Sequence, residues 1–315
     1  MTFSDFGLVN THDMFHDAIK NGYAIGAFNV YNMETINAII TAARESRSPV
    51  ILAISESALN YMGANMLMSI IWGSGLEPTE QIALHLDHGH SYESCAYAID
   101  IGFSSVMIDA STLPFYDNIA LSARVAEYAH NHNVSVEAEL GVLRGHEDEN
   151  TTSENELFTH PDDVVEFVSK TYIDSLAIAI GTSHGAYKRK SDTEKLRFDI
   201  LEKIAEKLPD FPLVLHGASC VPGHLINEIN SNGGNINGAH GIQVEELRMA
   251  AQTNICKINI DTDSRLAFTA GIRMSLNSHP ENFNPREYIG TGMGMMYENA
   301  VTDMYEIMNS ANRLK

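Results

Sequence analysis

Short apolar, β-rich runs alternate along the chain with longer stretches whose apolar residues recur at helical spacing. The runs predict strands at Ala24–Val30, Val50–Ser55, Ile82–Asp87, Ser105–Asp109, Val134–Glu139, Ser175–Ile180, Leu213–His216 and Ile255–Ile260. Between the first two, Ile36, Ile39, Ile40 and Ala43 share one face of a helix over Met33–Ser46. Leu121–His130 and Pro161–Lys170 repeat the pattern, with Pro161 in a first turn, where a missing N–H costs nothing. Glu298–Met308 predicts a final helix. Eight strands alternating with helices predict a parallel sheet, and eight is the number that closes an α/β fold into a (β/α)8 TIM barrel. An open doubly wound sheet is the alternative, but no G-x-G-x-x-G follows the first strand.

No composition break or Pro-rich linker divides residues 1–315, which read as a single barrel domain. Three polar inserts, Gly141–Thr159, Gly181–Lys195 and Gly217–Gly241, follow strands five, six and seven. In a barrel that is the face where active sites sit. A hydrophobic share of 44% and a charged share of 19% fit a globular core and exclude general disorder. Charge changes the picture more. With Lys plus Arg at 20 and Asp plus Glu at 41, the formal charge is −21, which repels nucleic acid and anionic membrane. An anionic ligand must therefore be held by local cations and backbone N–H groups. Cys95, Cys220 and Cys256 form no CxxC, no apolar stretch approaches the ~18–20 residues of a membrane span, and Met1–Thr11 lacks a signal-peptide pattern. A cytoplasmic protein is expected.

Polar residues close nearly every strand: Asn29, Ser55, Asp87 with His88, Asp109, Glu139, His184, His216, then Asn259 and Asp261. Strands often end where polarity begins, but so many Asn, Asp, Glu and His side chains would converge over one barrel mouth. His88, His184 and His216 supply three imidazoles, the ligand set of a catalytic zinc with one open vertex. Their spacing matches no local motif. In extended chain His85 and Asp87 share a face and His88 takes the other, so a His85/Asp87 pair competes as a ligand set. Gly181-Thr182-Ser183-His184-Gly185 also fits the G-x-S-x-G elbow of a serine hydrolase, although an elbow needs a helix directly after the serine and Ala186–Lys195 is basic and polar. The glycines beside His184 and His216, with Lys188, suit a phosphate-like anion.

Leu84-His85-Leu86-Asp87-His88-Gly89 and Gly102-Phe103-Ser104-Ser105-Val106-Met107-Ile108-Asp109-Ala110-Ser111 resemble the class II, zinc-dependent ketose-bisphosphate aldolases. So do Gly26-Ala27-Phe28-Asn29, Val136-Glu137-Ala138-Glu139-Leu140-Gly141, Ala179-Ile180 through Lys188, Leu215-His216-Gly217-Ala218-Ser219 and Lys257-Ile258-Asn259-Ile260-Asp261-Thr262-Asp263. The resemblance is nearest to the fructose-bisphosphate branch, with tagatose-bisphosphate aldolases close by. It implies His88, His184 and His216 as ligands of one Zn2+ ion, Asp87 as the acid at the C4 hydroxyl, and Glu147 as the loop residue that moves a proton on dihydroxyacetone phosphate. It also implies that Gly185, Lys188, Gly217, Ser219, Asn259, Asp261 and Thr262 hold the dihydroxyacetone phosphate half, with Na+ or K+ near that phosphate. Asn29 and Ser55 match residues near the ketose hydroxyls and the aldehyde. Arg265 and Arg286 match residues that bind the far phosphate, one of them across a homodimer. Asp109 and Glu139 are expected to support the metal ligands. Asn284 stands where relatives have an aspartate that helps choose the sugar, Arg144 replaces a common glycine, and Ala53 takes a position often held by glutamine. Metal-dependent hydrolysis and serine hydrolysis are the alternatives from other reaction classes.

Overall fold

Each apolar run becomes a strand, and the strands pair in parallel with their sequence neighbours. The computed structural model describes residues 1–143, 158–187 and 195–314 and, for 146–147 and 150–151, the backbone alone. The barrel strands are β1 (Ile25–Asn29), β2 (Val50–Ser55), β3 (Ile82–Gly89), β4 (Ser105–Ile108), β5 (Ser135–Leu140), β6 (Ser175–Ile178), β7 (Leu213–Leu215) and β8 (Ile255–Ile260). They form a closed barrel in the order β1-β8-β7-β6-β5-β4-β3-β2. Closure is made by β1 against β8, with Ile25 opposite Lys257 and Phe28 opposite Ile260. The expected TIM barrel is therefore present, and a closed ring leaves no place for the open-sheet alternative.

Helices between strands cover the outside. Helix α2 (Met33–Ser46) shows why the sequence folds this way: Asn32 accepts a hydrogen bond from the Thr35 N–H at 2.8 Å, and Arg47 ends the helix in the left-handed region. Its Ile36, Ile39, Ile40 and Ala43 are all buried, each isoleucine contributing roughly 1.5–3 kcal/mol. Inside, the barrel is graded from bottom to top. Helix α1 (His12–Asn21) closes the N-terminal end by packing Met14, Phe15 and Ala18 on Ile25, Ala27, Ile51, Ala53 and Ala83. Above that plug lie His85, Glu137 and Lys257, and two residues further along the same strands come Asp87, Glu139 and Asn259.

Two helix readings, and one insert read only as polar, need correction. Residues 161–163 form a turn, and α7 (Val164–Thr171) starts after it, so Pro161 lies outside the helix. The third insert contains a helix, α9 (Gly223–Ser231). The final helix, α12 (Pro285–Glu306), begins thirteen residues before the expected Glu298, capped by the Asn284 side chain and with Pro285 at its first position. Its glycines disguised it. A Cβ at Gly292 would lie 2.8 Å from the Phe268 carbonyl oxygen, and one at Gly271 of α11 (Thr262–Ser278) would lie 2.6 Å from that of Thr291. Glycine at these two positions lets α11 and α12 pack backbone to backbone.

Asp303, on α12, is buried where these helices meet and accepts a hydrogen bond from Asn299 Nδ2 at 2.8 Å. Burial, together with the Asp263 carboxylate, holds its carboxyl well above the usual range. A raised native value means that the folded chain binds more protons than the unfolded one, so this stabilisation is complete below the unfolded value near 3.8 and is lost as pH rises through the native value. Asp303→Asn, which cannot ionise, is expected to gain stability over the wild type as pH rises from 4 to 8. The gain grows by up to about 1.4 kcal/mol per pH unit until the native value is reached. Melting temperatures of both proteins across that range provide the check, and a difference that does not change with pH contradicts the assignment.

Candidate active site

The site begins with an irregularity in β3. Pairing with β4 shifts register between Leu86 and Gly89, and His88 takes a φ of +47°. Regular alternation would point Asp87 and His88 to opposite faces, whereas the shift turns both toward the barrel mouth. A non-glycine residue in the left-handed region is costly and tends to persist at functional sites. His88 is thereby brought beside the other two imidazoles, its ring centre 4.5 Å from that of His216 and 5.1 Å from that of His184. Asp87, His88 and His216 offer ligand atoms within 4.8 Å of one another, and His88, Asp109 and Glu139 do the same.

Two of the imidazoles, His88 and His216, are oriented by carboxylates. His88 Nδ1 lies 2.9 Å from Asp109 Oδ2 and 4.0 Å from Glu139 Oε2. Asp109 also accepts from the Ser111 N–H and hydroxyl. Burial would raise the Asp109 carboxyl, but His88 and Ser111 outweigh it and hold it well below the usual carboxylate range. His216 Nε2 lies 2.5 Å from Glu137 Oε1. Burial would likewise raise Glu137, yet Lys257 and His216 hold it well below the usual range. An ionised Glu137 can only accept, so His216 donates through Nε2 and its lone pair sits on Nδ1. That Nδ1 is buried, 3.8 Å from Asp87 Oδ1, with no hydrogen-bond partner among the described residues. Burial, then Lys257 and His88, also keeps the His216 imidazole below its ordinary pKa, hence neutral at pH 7. A neutral, oriented imidazole with a lone pair aimed at a carboxylate and a second imidazole fits a divalent metal.

Asp87 is fully buried and doubly held. Its Oδ2 accepts from Asn29 Nδ2 at 2.8 Å and its Oδ1 from Asn259 Nδ2 at 2.9 Å, amides supplied by β1 and β8 on either side of the closing seam. Ser55 pairs with Asp87 across β2 and β3 and caps α3 (Glu56–Met62) through the Ala58 N–H. A small cavity opens beside this centre, lined by His184, Gly185, Gly217, Ser219, Asn259, Asp261 and Thr262. Arg265 reaches Asp261 at 2.6 Å. Asn284 and Arg286 are joined to each other at the start of α12, with Asn284 also bonded to Glu287, and do not line that cavity. Glu147 lies in a short antiparallel pair, 146–147 with 150–151, and its side chain falls outside the described residues, as does all of Lys188.

His85 is a correction. Its Nδ1 lies 2.8 Å from Ser105 Oγ and its Nε2 3.2 Å from Lys257 Nζ, so the ring sits beneath the mouth and is occupied on both sides. The elbow reading also fails, because the serine is followed at 184–187 by bends and a bridge rather than a helix, and the next helix among the described residues, α8, spans Phe198–Lys207. Glu137 and Lys257 went unremarked as individual residues. Lys257 Nζ donates to Glu137 Oε2 at 2.7 Å, and both are buried in the barrel. The signal was available: His85/Asp87, Glu137/Glu139 and Lys257/Asn259 are three polar pairs spaced two apart in otherwise apolar strands.

The family model for class II fructose-bisphosphate aldolase matches residues 9–313. The chain belongs to that aldolase family. A fructose-bisphosphate aldolase of Treponema pallidum is 46% identical over 330 aligned positions covering 99% of each chain, and one from Thermus caldophilus is 44% identical over 97% of this chain and 99% of that one. Among solved structures, the YdjI aldolase of Escherichia coli K12 superposes with a TM-score of 0.75 at 27% identity, over 98% of this chain and 100% of that one. A Campylobacter jejuni fructose-bisphosphate aldolase, at TM-score 0.73 and 22% identity over 99% of each chain, bears on the fold alone. Class II aldolases are zinc-dependent, which accords with the His/Asp cluster at the mouth. No helix among the described residues is long and apolar enough to cross a membrane.

Proposed function

We propose that the chain is an aldolase that reversibly cleaves fructose 1,6-bisphosphate into dihydroxyacetone phosphate and glyceraldehyde 3-phosphate. The observation that carries this reading is Asp87, buried between two amides and beside His216, at the mouth of a barrel that belongs to this family. One Zn2+ ion per subunit is assigned to His88, His184 and His216, with Asp109 and Glu139 steadying His88. When bound it supplies Lewis-acid stabilisation of the negative charge that develops on the ketose oxygens. Asp87 accepts the C4 hydroxyl proton as the C3–C4 bond breaks and returns it in the reverse direction. Glu147 moves the proton on the carbon of dihydroxyacetone phosphate that forms the new bond.

The phosphate of that half is assigned to Gly185, Lys188, Gly217, Ser219, Asn259, Asp261 and Thr262, with Na+ or K+ nearby. Asn29 and Ser55 face the sugar hydroxyls, Arg265 and Arg286 take the far phosphate, and Asn284 contributes to sugar choice. A cytoplasmic homodimer or higher homo-oligomer of a single-domain chain completes the reading. The test is release of triose phosphate from fructose 1,6-bisphosphate before and after chelation. Activity is expected to disappear with the metal and to return with zinc. Activity that survives complete metal removal overturns the mechanism, and cleavage of tagatose 1,6-bisphosphate in place of the fructose ester would reassign the substrate through Asn284.

A further inference from the structure

The turn after β7 is held in a shape that its sequence does not favour. Val221 has a φ of +53°, rare for any side chain and more so for a β-branched one. Two bonds fix it there: the N–H groups of Cys220 and Val221 donate to Oδ2 and Oδ1 of Asp263, each at 2.7 Å. Asp263 is fully buried in the first turn of α11. The other sides of the turn are also fixed. A Cβ at Gly217 would lie 2.6 Å from the Ser183 carbonyl, and the Ile242 N–H donates to the Ser219 carbonyl at 3.1 Å.

A first-turn aspartate is often only a helix anchor. Here, however, the anchored turn carries Gly217 and Ser219 into the small cavity, and the anchor itself directly follows Asp261 and Thr262, which line the same cavity. One carboxylate thus ties together two stretches of chain that line it. We infer that Asp263 is a positioning residue for the substrate phosphate, fixing the Gly217–Val221 turn in the conformation that presents Gly217 and Ser219 to the anion. The inference rests on the aldolase reading, in which that cavity takes phosphate.

In the zinc-loaded enzyme, Asp263→Asn replaces one charge-assisted acceptor by a donor. It is expected to raise KM for fructose 1,6-bisphosphate about tenfold and to weaken competitive inhibition by inorganic phosphate to a similar extent. The value of kcat should change far less and zinc content not at all. In that background Val221→Gly, indifferent to the sign of φ, is expected to restore part of the phosphate affinity, whereas Val221→Ala is not. Unchanged affinities in Asp263→Asn, or equal behaviour of the glycine and alanine variants, overturn the inference. Should Asp263→Asn fail to fold, Asp263→Ser, which keeps a small polar group but loses the second acceptor, takes its place: weaker phosphate inhibition with unchanged zinc content supports the inference and parity with the wild type overturns it. A wild type that neither cleaves the bisphosphate nor is inhibited by phosphate overturns the aldolase reading and this inference with it.

Discussion

Asp87→Ala is expected to keep its zinc and to lose cleavage by about a thousandfold, within the 10²–10⁴ range of general acid–base catalysis. The expectation distinguishes two roles that the geometry brings close together. Asp87 lies 3.8 Å from His216 Nδ1 and belongs to a group with metal-ligand spacing, so it has the chemistry of a ligand as well as of a proton carrier. Both its oxygens already accept from Asn29 and Asn259, which fixes its direction without using a metal. Retained zinc with lost turnover identifies a proton carrier, whereas zinc lost together with activity makes Asp87 a ligand. His184→Ala serves as the comparison, because a ligand's removal should empty the site and abolish activity together.

Lys257→Met is expected to destabilise the protein by about 3–5 kcal/mol, the cost of leaving a buried charge without its partner. For a chain of this size that is a fall in melting temperature of roughly 5–10 °C. The loss follows from Glu137, fully buried at 2.7 Å from Lys257 Nζ and kept ionised largely by it. Adding Glu137→Gln to Lys257→Met removes the orphaned charge and should recover most of that fall. Glu137→Gln alone is expected to keep the fold and weaken zinc binding about 10–100-fold, since the group that fixes the His216 tautomer is gone. Metal titrations of the single and double variants, beside their melting curves, separate the two effects. Equal stability of Lys257→Met and wild type contradicts the account.

The strand ends were legible because a barrel strand buried on both sides must be apolar, and the polarity at its C-terminal end stands out. Asn29, Asp87, His216 and Asn259 were found this way and the fold brings them together. The direction of His88 was not legible, since period-two alternation has no term for a register shift and assigns it to the wrong face. Glu137 and Lys257 escaped notice for the opposite reason: charges in a barrel interior contradict the binary pattern, and their mutual pairing across β5 and β8, with the contacts to His216 and His85, accommodates them. Gly292 helped hide the start of α12, because glycine reads as a helix breaker unless a second helix is known to need the space.

The seam between β1 and β8 also has a consequence for how the chain is made. During synthesis β1 emerges early and waits for a partner more than two hundred residues away, while β8 is the last strand to appear. Until then the nascent sheet has open edges, and Asp87 has Asn29 but not Asn259. The fold's final pairing step and the completion of its acid are therefore one event: a polypeptide stalled before Ile255 can hold seven strands and still lack the assembled site.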